Sequence, residues 1–479
     1  MFQLILAILL SISTSFVNCK TATGKSERQL EDNIDQIIKP YVDHHVFSGS
    51  VLVAKNGEVI LSKGYGLANK EWQISNTAES KYGIGSLTKS VTAILIMQQV
   101  ERGRLKLSDT IDKFLPNIPK QRSSRITIHH LLSHSSGLPN YFAIPGWTDN
   151  SFNKSISLSD FSKVLENMSL LSEPGEQYHY SNIGFFFLGQ IIEKVSGKSY
   201  ELALSENILE PLTMNNTGLH LSQIVLDKAA SGYQVNKTGG FRQPWINRDL
   251  FRGTGNLYST VGDLFLLDQA LYSDKILSKE SKAIMFDPKN SYGWDNGEVS
   301  IIGKQKKTIG YSGQVLGFNS MITRYVEDNN TVILLGNIGT SNFERRQLSA
   351  ELSHFLYSSK QPEKTKTRLS LLLMKALVDG NIEQRLAAYS KSNSQYEADE
   401  SGISSLGQQL GWTGLSELSI KLLEFNVKIF PESAGSLVNL ARAFQRGGRS
   451  MKALKYFQLA HKVAPDNDYI KTQINKLGK

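Results

Sequence analysis

A serine and a lysine three residues apart, at the head of an apolar segment, limit this chain more than any other feature. Ser86 and Lys89 come directly before the apolar run 90–97. On a helix, positions three apart share one face, so the lysine amine can reach the serine hydroxyl. A nearby base is what makes serine a nucleophile, and a helix N-terminus favours the negative charge that develops. The spacing predicts a nucleophilic serine at the start of a buried helix.

The same spacing occurs a second time, in a different setting. Ser151 and Lys154 lie in a polar stretch that is typical of a loop. A chance Ser-x-x-Lys is more often a solvated pair than a nucleophile and its base. The Ser86 copy differs because a buried helix follows it and because companion motifs appear downstream in order.

The first companion motif is Tyr180-Ser181-Asn182, which precedes the apolar run 183–192. Taken alone, it is typical of a turn with a capping residue at the start of a helix. Together with the Ser86 motif and the segments 126–139 and 253–264, it resembles the class C β-lactamase, DD-peptidase and esterase family, whose second motif is Tyr-x-Asn. The resemblance extends over roughly residues 28–358.

The resemblance implies an α+β fold of the β-lactamase and penicillin-binding-protein type, with an antiparallel sheet, flanking helices and a helical insert. The catalytic cleft would lie where sheet and insert meet. Ser86 would attack a carbonyl to form an acyl-enzyme, while Lys89 and Tyr180 move the proton. A phenol near Lys89 and a second cation would have a lowered pKa. Asn182 would orient Lys89 and hydrogen-bond the substrate.

The third motif departs from the family pattern. The family has Lys-Thr-Gly or His-x-Gly there, whereas this chain has Tyr311, Ser312 and Gly313. A tyrosine carries no positive charge near neutral pH, so substrates with a carboxylate lose one attractive partner. Gly313 would let a substrate backbone come close, and the amides of Gln314 and Ser86 would form the oxyanion hole. Candidate substrates are a small ester, a D-amino-acid peptide and a β-lactam, in falling order.

The N-terminus is typical of an export signal over residues 1–19. An apolar core at 4–10 is followed by small polar residues and by Cys19, the only cysteine. Cleavage after Cys19 would release a periplasmic or extracellular protein. Acylation of Cys19 would instead anchor the protein to a membrane, although the residues before it fit the lipoprotein pattern poorly. Both alternatives stay open.

The hydrolase segment, 28–358, is predicted to begin and end with strands of one sheet. Residues 51–61 contain an Asn-Gly turn at 56–57 between two apolar segments, which is typical of a hairpin. Residues 318–323 and 331–335 indicate the closing strands. The helical insert that carries Ser86 and Tyr180 lies between these strands.

A second domain is predicted over residues 368–479, after a polar linker at 359–367. Pro431 and Pro465 are 34 residues apart, the period of tetratricopeptide repeats. Further helices are indicated at 369–377 and 382–389. The sequence therefore predicts an all-α, tetratricopeptide-like domain, which would either bind a protein partner or act as a structural cap.

The remaining features exclude some functions. The net charge of +9 is spread along the chain, without the interleaved aromatic residues of a nucleic-acid surface. His130 and His134 have a metal-friendly spacing but no evident third ligand, so we expect neither a metal nor a cofactor. A rival hypothesis is a non-catalytic receptor for wall peptides or β-lactams that signals through the repeats. A third is an assembly protein with a relic hydrolase domain.

Overall fold

The computed structural model describes residues 28–140, 169–220, 224–244, 251–339, 342–360, 366–389 and 396–478 of the 479-residue chain. The strands are β1 (Gly49–Lys55), β2 (Glu58–Tyr65), β3 (Leu67–Asn69), β4 (Ile74–Ser75), β5 (Tyr82–Gly83), β6 (Gly218–Leu219), β7 (Gln234–Val235), β8 (Phe241–Arg242), β9 (Leu257–Ser259), β10 (Asp295–Ile301), β11 (Lys304–Val315), β12 (Phe318–Tyr325), β13 (Asn330–Gly336), β14 (Thr367–Arg368) and β15 (Tyr396–Glu397).

The helices are α1 (28–43), α2 (Thr88–Glu101), α3 (Lys120–Ser123), α4 (Ile128–Leu132), α5 (Asn182–Ser196), α6 (Tyr200–Leu204), α7 (Glu210–Leu212), α8 (Val261–Ala270), α9 (Lys279–Met285), α10 (Asn342–Ser358), α11 (Leu369–Val378), α12 (Ile382–Ala388), α13 (Glu400–Trp412), α14 (Ser416–Ile429), α15 (Ala434–Arg446), α16 (Ser450–Val463) and α17 (Asp468–Leu477).

A six-stranded antiparallel sheet forms the centre of the fold, in the order β10-β11-β12-β13-β1-β2. Asn56 and Gly57 join β1 to β2 with φ values of 52° and 82°, the left-handed conformation that an Asn-Gly hairpin turn needs. β1 also pairs with β13, where Gly49 lies opposite Gly336. The predicted hairpin and the predicted pairing of first and last strands are therefore confirmed.

The inner face of the sheet packs against the helical insert. Helix α2 is buried from Thr88 to Gln99, and α5 buries most of its first three turns. A helix that is apolar on nearly every side belongs in the interior of a protein. Side chains from alternate sheet positions join the same core: Leu52, Ile322, Ile333 and Leu335. The two helices that begin beside Ser86 and Tyr180 are therefore held firmly within the core.

The outer face of the sheet packs against α1, α10 and the first C-terminal helices. Side chains alternate along a strand, so the neighbours of the inner-face residues point outward. They are Val51, Val53, Val332 and Leu334. Leu352 of α10, Leu373 of α11 and Ile403 of α13 lie in the same buried cluster. The C-terminal helices thus share one hydrophobic core with the sheet.

The C-terminal region is helical, as the sequence predicts. Helices α11 and α12 occupy the predicted segments. Beyond them, α13 packs on α14 and α15 packs on α16, and Pro431 and Pro465 follow the ends of α14 and α16. Assignment of these pairs to the tetratricopeptide class stays a prediction.

Across the described ranges, no helix combines the length and apolar character needed to cross a membrane. The predicted signal segment 1–19, with Cys19, lies outside the described residues. So do residues 361–365 of the predicted linker and the second serine–lysine pair, Ser151 and Lys154.

Candidate active site

Ser86 lies in a tight turn between β5 and α2. Gly85–Leu87 form one turn of 3-10 helix, and α2 begins at Thr88. Gly85 has a φ of 53°, and a Cβ atom there would come within 2.7 Å of the Gln314 backbone nitrogen. Glycine is required both for the backbone conformation and for this close approach. The turn therefore fixes Ser86 at the head of the buried helix, beside β11.

Lys89 reaches Ser86, as its spacing predicts. Its Nζ donates to Ser86 Oγ at 3.2 Å and to the carbonyl oxygen of Thr254 at 2.6 Å. The residue is completely buried, and burial lowers the pKa of the Lys89 amine well below its usual value. A lowered pKa raises the fraction of neutral amine, the form that can accept the serine proton.

Tyr180 contacts the nucleophile from the other side. The Tyr180 and Ser86 hydroxyl oxygens are 2.7 Å apart. Helix α5 begins at Asn182, two residues after Tyr180. Ser181 caps this helix, because its hydroxyl accepts a hydrogen bond from the Gly184 N–H at 3.3 Å. This cap sets the direction of the chain at Tyr180 and aims the phenol at Ser86.

The expected lowering of the Tyr180 pKa is not what the structure shows. Burial raises the pKa of the phenol, and its hydrogen bonds with Ser86 and Tyr311 oppose that rise only in part. The sequence prediction considered the nearby Lys89 but not the loss of water around the tyrosine. A neutral phenol suits a proton relay, which leaves Lys89 as the better base.

Tyr311 occupies the third-motif position on β11 without any charge. It is buried and hydrogen-bonds with Tyr180, and burial raises its pKa far above the usual value. Asp295, at the start of β10, pairs with Gly310 next to it, and its charge further raises the pKa values of Tyr178 and Tyr311. Burial raises the pKa of Asp295, and Arg346 partly opposes this. The site thus has a carboxylate beside a neutral phenol.

The backbone of β11 is pressed against the nucleophile turn. A Cβ atom at Gly313 would come within 1.9 Å of the Ile84 carbonyl oxygen. Only glycine allows the strand to approach this closely. Ser312 is half-buried and Gln314 is exposed, and the Gln314 backbone lies against Gly85. The backbone at Gln314 therefore lies beside the turn that carries Ser86, and the oxyanion hole stays a prediction.

Asn182 and Lys89 are not hydrogen-bonded to each other. The Nδ2 atom of Asn182 donates to Asn140 Oδ1 at 3.2 Å, and Thr254 holds the lysine instead. The segment 253–264 resembles the family, but nothing in its sequence predicts a role for Thr254. A backbone carbonyl has no residue-type signature, so no motif could have identified it as the Lys89 acceptor.

A metal role for His130 and His134 finds no support in the described part of the chain. No group of three or more metal-ligating side chains occurs there. His130 Nδ1 instead accepts from the Thr127 N–H at 3.3 Å and closes a capping box at the start of α4.

Comparison with known proteins covers the whole of this site. The family model described as Beta-lactamase matches residues 34–354. A penicillin-binding protein of Bacillus subtilis (strain 168) is 30% identical over an alignment of 342 residues, and the match covers 66% of this chain and 73% of that protein. Every site residue described above lies within the matched range.

Solved structures show the same fold. The octameric penicillin-binding protein homologue from Pyrococcus abyssi has a TM-score of 0.58 and 29% identity, and the match covers 70% of this chain and 78% of that one. The D-amino acid amidase from Ochrobactrum anthropi SV3 has a TM-score of 0.60 over 69% of this chain and 100% of that one. At 23% identity, this second likeness concerns the fold alone.

Proposed function

The chain belongs to the Beta-lactamase family of serine hydrolases, and from that premise we propose that it is an exported enzyme forming an acyl-enzyme at Ser86. The observation that carries the proposal is the position of the Ser86 hydroxyl. It lies 2.7 Å from the Tyr180 hydroxyl and 3.2 Å from a buried lysine amine. A non-catalytic serine needs neither a base nor a relay.

The reaction follows from these contacts. The neutral Lys89 amine takes the Ser86 proton while Oγ attacks the substrate carbonyl, and the amides of Ser86 and Gln314 donate to the oxyanion. When the intermediate collapses, the leaving group departs with a proton that Lys89 supplies through Tyr180. Water then attacks the ester carbonyl of the acyl-enzyme and gives its proton to Lys89. That proton passes to Ser86 Oγ as the ester bond breaks, which releases the acid and restores the serine. No cofactor enters any step.

The charge around Tyr311 supports neutral or amine-bearing substrates over carboxylate-bearing ones. The third motif brings a phenol, and Asp295 adds a carboxylate beside it. A penicillin would bring its own carboxylate towards that group, whereas a small ester or a D-amino acid amide has none. We therefore rank substrates as small ester, D-amino-acid amide or peptide, and β-lactam.

Intact mass spectrometry tests the proposal directly. Wild type and Ser86→Ala are incubated with a fluorophosphonate and, separately, with a penicillin. We expect one covalent adduct on the wild type and none on Ser86→Ala, with the fluorophosphonate reacting faster. A folded wild type that takes up neither reagent would favour the alternative function, a non-catalytic receptor for wall peptides or β-lactams.

The Tyr311→His variant tests the substrate order. A histidine can carry a positive charge at the third motif, so labelling by the penicillin should accelerate relative to labelling by the fluorophosphonate. An unchanged ratio would mean that Tyr311 does not face the substrate.

Export and partner binding complete the proposal. The segment 1–19 would direct the chain to the periplasm or the outside of the cell, with a lipid anchor only if Cys19 is acylated. The C-terminal helix pairs would form a tetratricopeptide-like surface that binds a protein partner, because such pairs build concave binding faces. Nucleic acid has no place in this function.

A further inference from the structure

His134 lies directly behind the catalytic tyrosine, just after helix α4. The residue is 3% exposed. Its ring centroid is 4.5 Å from that of Tyr180 and 5.0 Å from that of Phe185. The imidazole therefore packs against both the phenol ring of Tyr180 and the phenyl ring of Phe185.

His134 also binds the backbone on both sides of Tyr180. Its carbonyl oxygen accepts from the His179 N–H at 2.7 Å, and its Nδ1 accepts from the Ser181 N–H at 3.2 Å. The backbone N–H groups of the residues before and after the tyrosine are thus both bonded to one residue. Tyr180 cannot move along or away from α4 without breaking one of these two bonds.

The charge state of His134 is fixed as well. Because Nδ1 accepts a hydrogen bond, the ring proton of the neutral imidazole lies on Nε2. Burial, and then the nearby Lys89, lower the pKa of His134 to about 3. The imidazole therefore stays neutral near physiological pH and adds no second cation beside Lys89.

Two unfavourable local features coincide at this residue. His134 has a φ of 55°, in the left-handed region that residues with a side chain adopt at a cost. Its buried Nε2 has no hydrogen-bond partner among the described residues. Strained backbone and unsatisfied buried donors persist mainly where function compensates for them. A merely space-filling residue would need neither feature.

We propose that His134 is a positioning residue that holds the Tyr180 hydroxyl on Ser86 by binding the backbone N–H groups of the two residues that flank the tyrosine. The inference rests on the proposed function, because it gives Tyr180 a task only if Ser86 is acylated. It predicts that loss of the Nδ1 acceptor slows acylation without weakening the binding of the reagent.

Asparagine and leucine at position 134 form a matched pair for the test. They have the same size and branching, but asparagine Oδ1 stands at the same bonded position as histidine Nδ1 and can accept the Ser181 N–H. The measurement is fluorophosphonate labelling, resolved into its limiting rate and half-saturating concentration. For His134→Leu we expect the limiting rate to fall by up to about 100-fold, since small displacements of catalytic groups have such effects. The half-saturating concentration should stay at the wild-type value. His134→Asn should retain most of the wild-type limiting rate.

His130→Leu is the control, at a position four residues upstream in helix α4. It also removes a histidine Nδ1 that accepts a backbone N–H, from Thr127 at 3.3 Å, but it lies away from Tyr180. This variant should melt at a lower temperature and label at the wild-type rate. If His134→Leu does not fold, His134→Gly replaces it, because glycine tolerates the left-handed φ while removing the acceptor.

The outcomes separate the two proposals. A labelled wild type with His134→Leu or His134→Gly at the same limiting rate would overturn the positioning role alone. So would His134→Asn falling as far as His134→Leu. A folded wild type that takes no label would overturn the proposed function and, with it, the role of His134.

Discussion

Two cations, one on each side of the central sheet, differ in what surrounds them: Lys89 is fully buried and Arg368 is half-buried. Lys89, on the inner side, is bonded to a carbonyl and a hydroxyl, and no carboxylate among the described residues pairs with it. Arg368, on the outer side, lies 2.9 Å from Glu344 and donates to the Tyr41 hydroxyl at 3.0 Å. The first lies in the catalytic site, and the second lies where the C-terminal helices meet α10.

Their pKa values shift in opposite directions for this reason. Burial lowers the pKa of Lys89, and nothing offsets it. Burial alone would also lower the pKa of Arg368, but the charges of Tyr41, Glu344 and Asp399 outweigh it and the net shift is upward. An unpaired cation is ready to give up a proton, whereas a paired one holds structure together. The protein separates these tasks by supplying or withholding carboxylates.

Lys89→Met should give the largest effect and the clearest contrast. Methionine keeps the apolar stem but removes the base, so acylation of Ser86 should slow by roughly 100- to 10,000-fold. The free energy of unfolding should stay the same or rise, because a buried unpaired amine is lost. Fluorophosphonate labelling and urea denaturation measure the two quantities on one sample. A variant that labels at the wild-type rate would remove Lys89 from the mechanism.

Arg368→Met should have the opposite effects, with a loss of stability and little change in the labelling rate. It leaves Glu344 and Asp399 buried without their cation, so unfolding should become easier by about 3–5 kcal/mol. Labelling of the remaining folded protein should be close to wild type. Arg368→Lys, which keeps a charge, is the control and should lose less stability. A large loss of labelling in stable Arg368→Met would mean that the outer side also shapes the catalytic site.

Leu373→Ala sharpens the comparison by asking whether the two sides unfold together. Leu373 is 1% exposed and lies in the core that α11 shares with the outer face of the sheet. Its truncation should reduce the free energy of unfolding by about 2–5 kcal/mol. Met451→Ala, at a site that is 79% exposed, should change little. Denaturation followed by Ser86 labelling would then show whether the catalytic site is lost in the same transition as the C-terminal helices.

The sequence predicted the parts of this molecule that depend on local pattern. Ser86 and Lys89 are one helical turn apart, and that spacing alone brings them together. The hairpin at Asn56 and Gly57 follows from the left-handed preference of those residues. Relations between distant segments were harder. The linker at 359–367 suggested a separate domain, but an apolar helix face does not show which surface it will cover, and here it covers the sheet.

In the catalytic site, too, contacts within one segment were predictable and contacts between distant segments were not. Its motif residues were predictable, whereas the acceptor for Lys89 is a backbone carbonyl 165 residues away. In the sequence, His134 has only its spacing from His130 and its place in the family-like segment 126–139, and neither predicts a role beside Tyr180. Its contact with Tyr180 depends on how two loops meet. The prediction of a lowered Tyr180 pKa was wrong because burial, a property of the whole fold, outweighs the nearby charge.

The smallest predicted effect concerns the pH dependence of stability. The pKa of Lys89 lies well below its ordinary value of 10.5 in the folded state, so between those two pKa values the unfolded chain binds more protons than the folded one. Stability must then rise with pH across that window, by on the order of 1 kcal/mol per pH unit at most. Lys89→Met lacks this group. The unfolding free energy of wild type minus that of Lys89→Met should therefore increase with pH. The unfolding free energy of wild type minus that of Arg368→Met should show no such trend, because Arg368→Met keeps Lys89. If the difference between wild type and Lys89→Met does not change with pH, Lys89 is charged at neutral pH. Its pKa would then not shift in the direction opposite to that of Arg368.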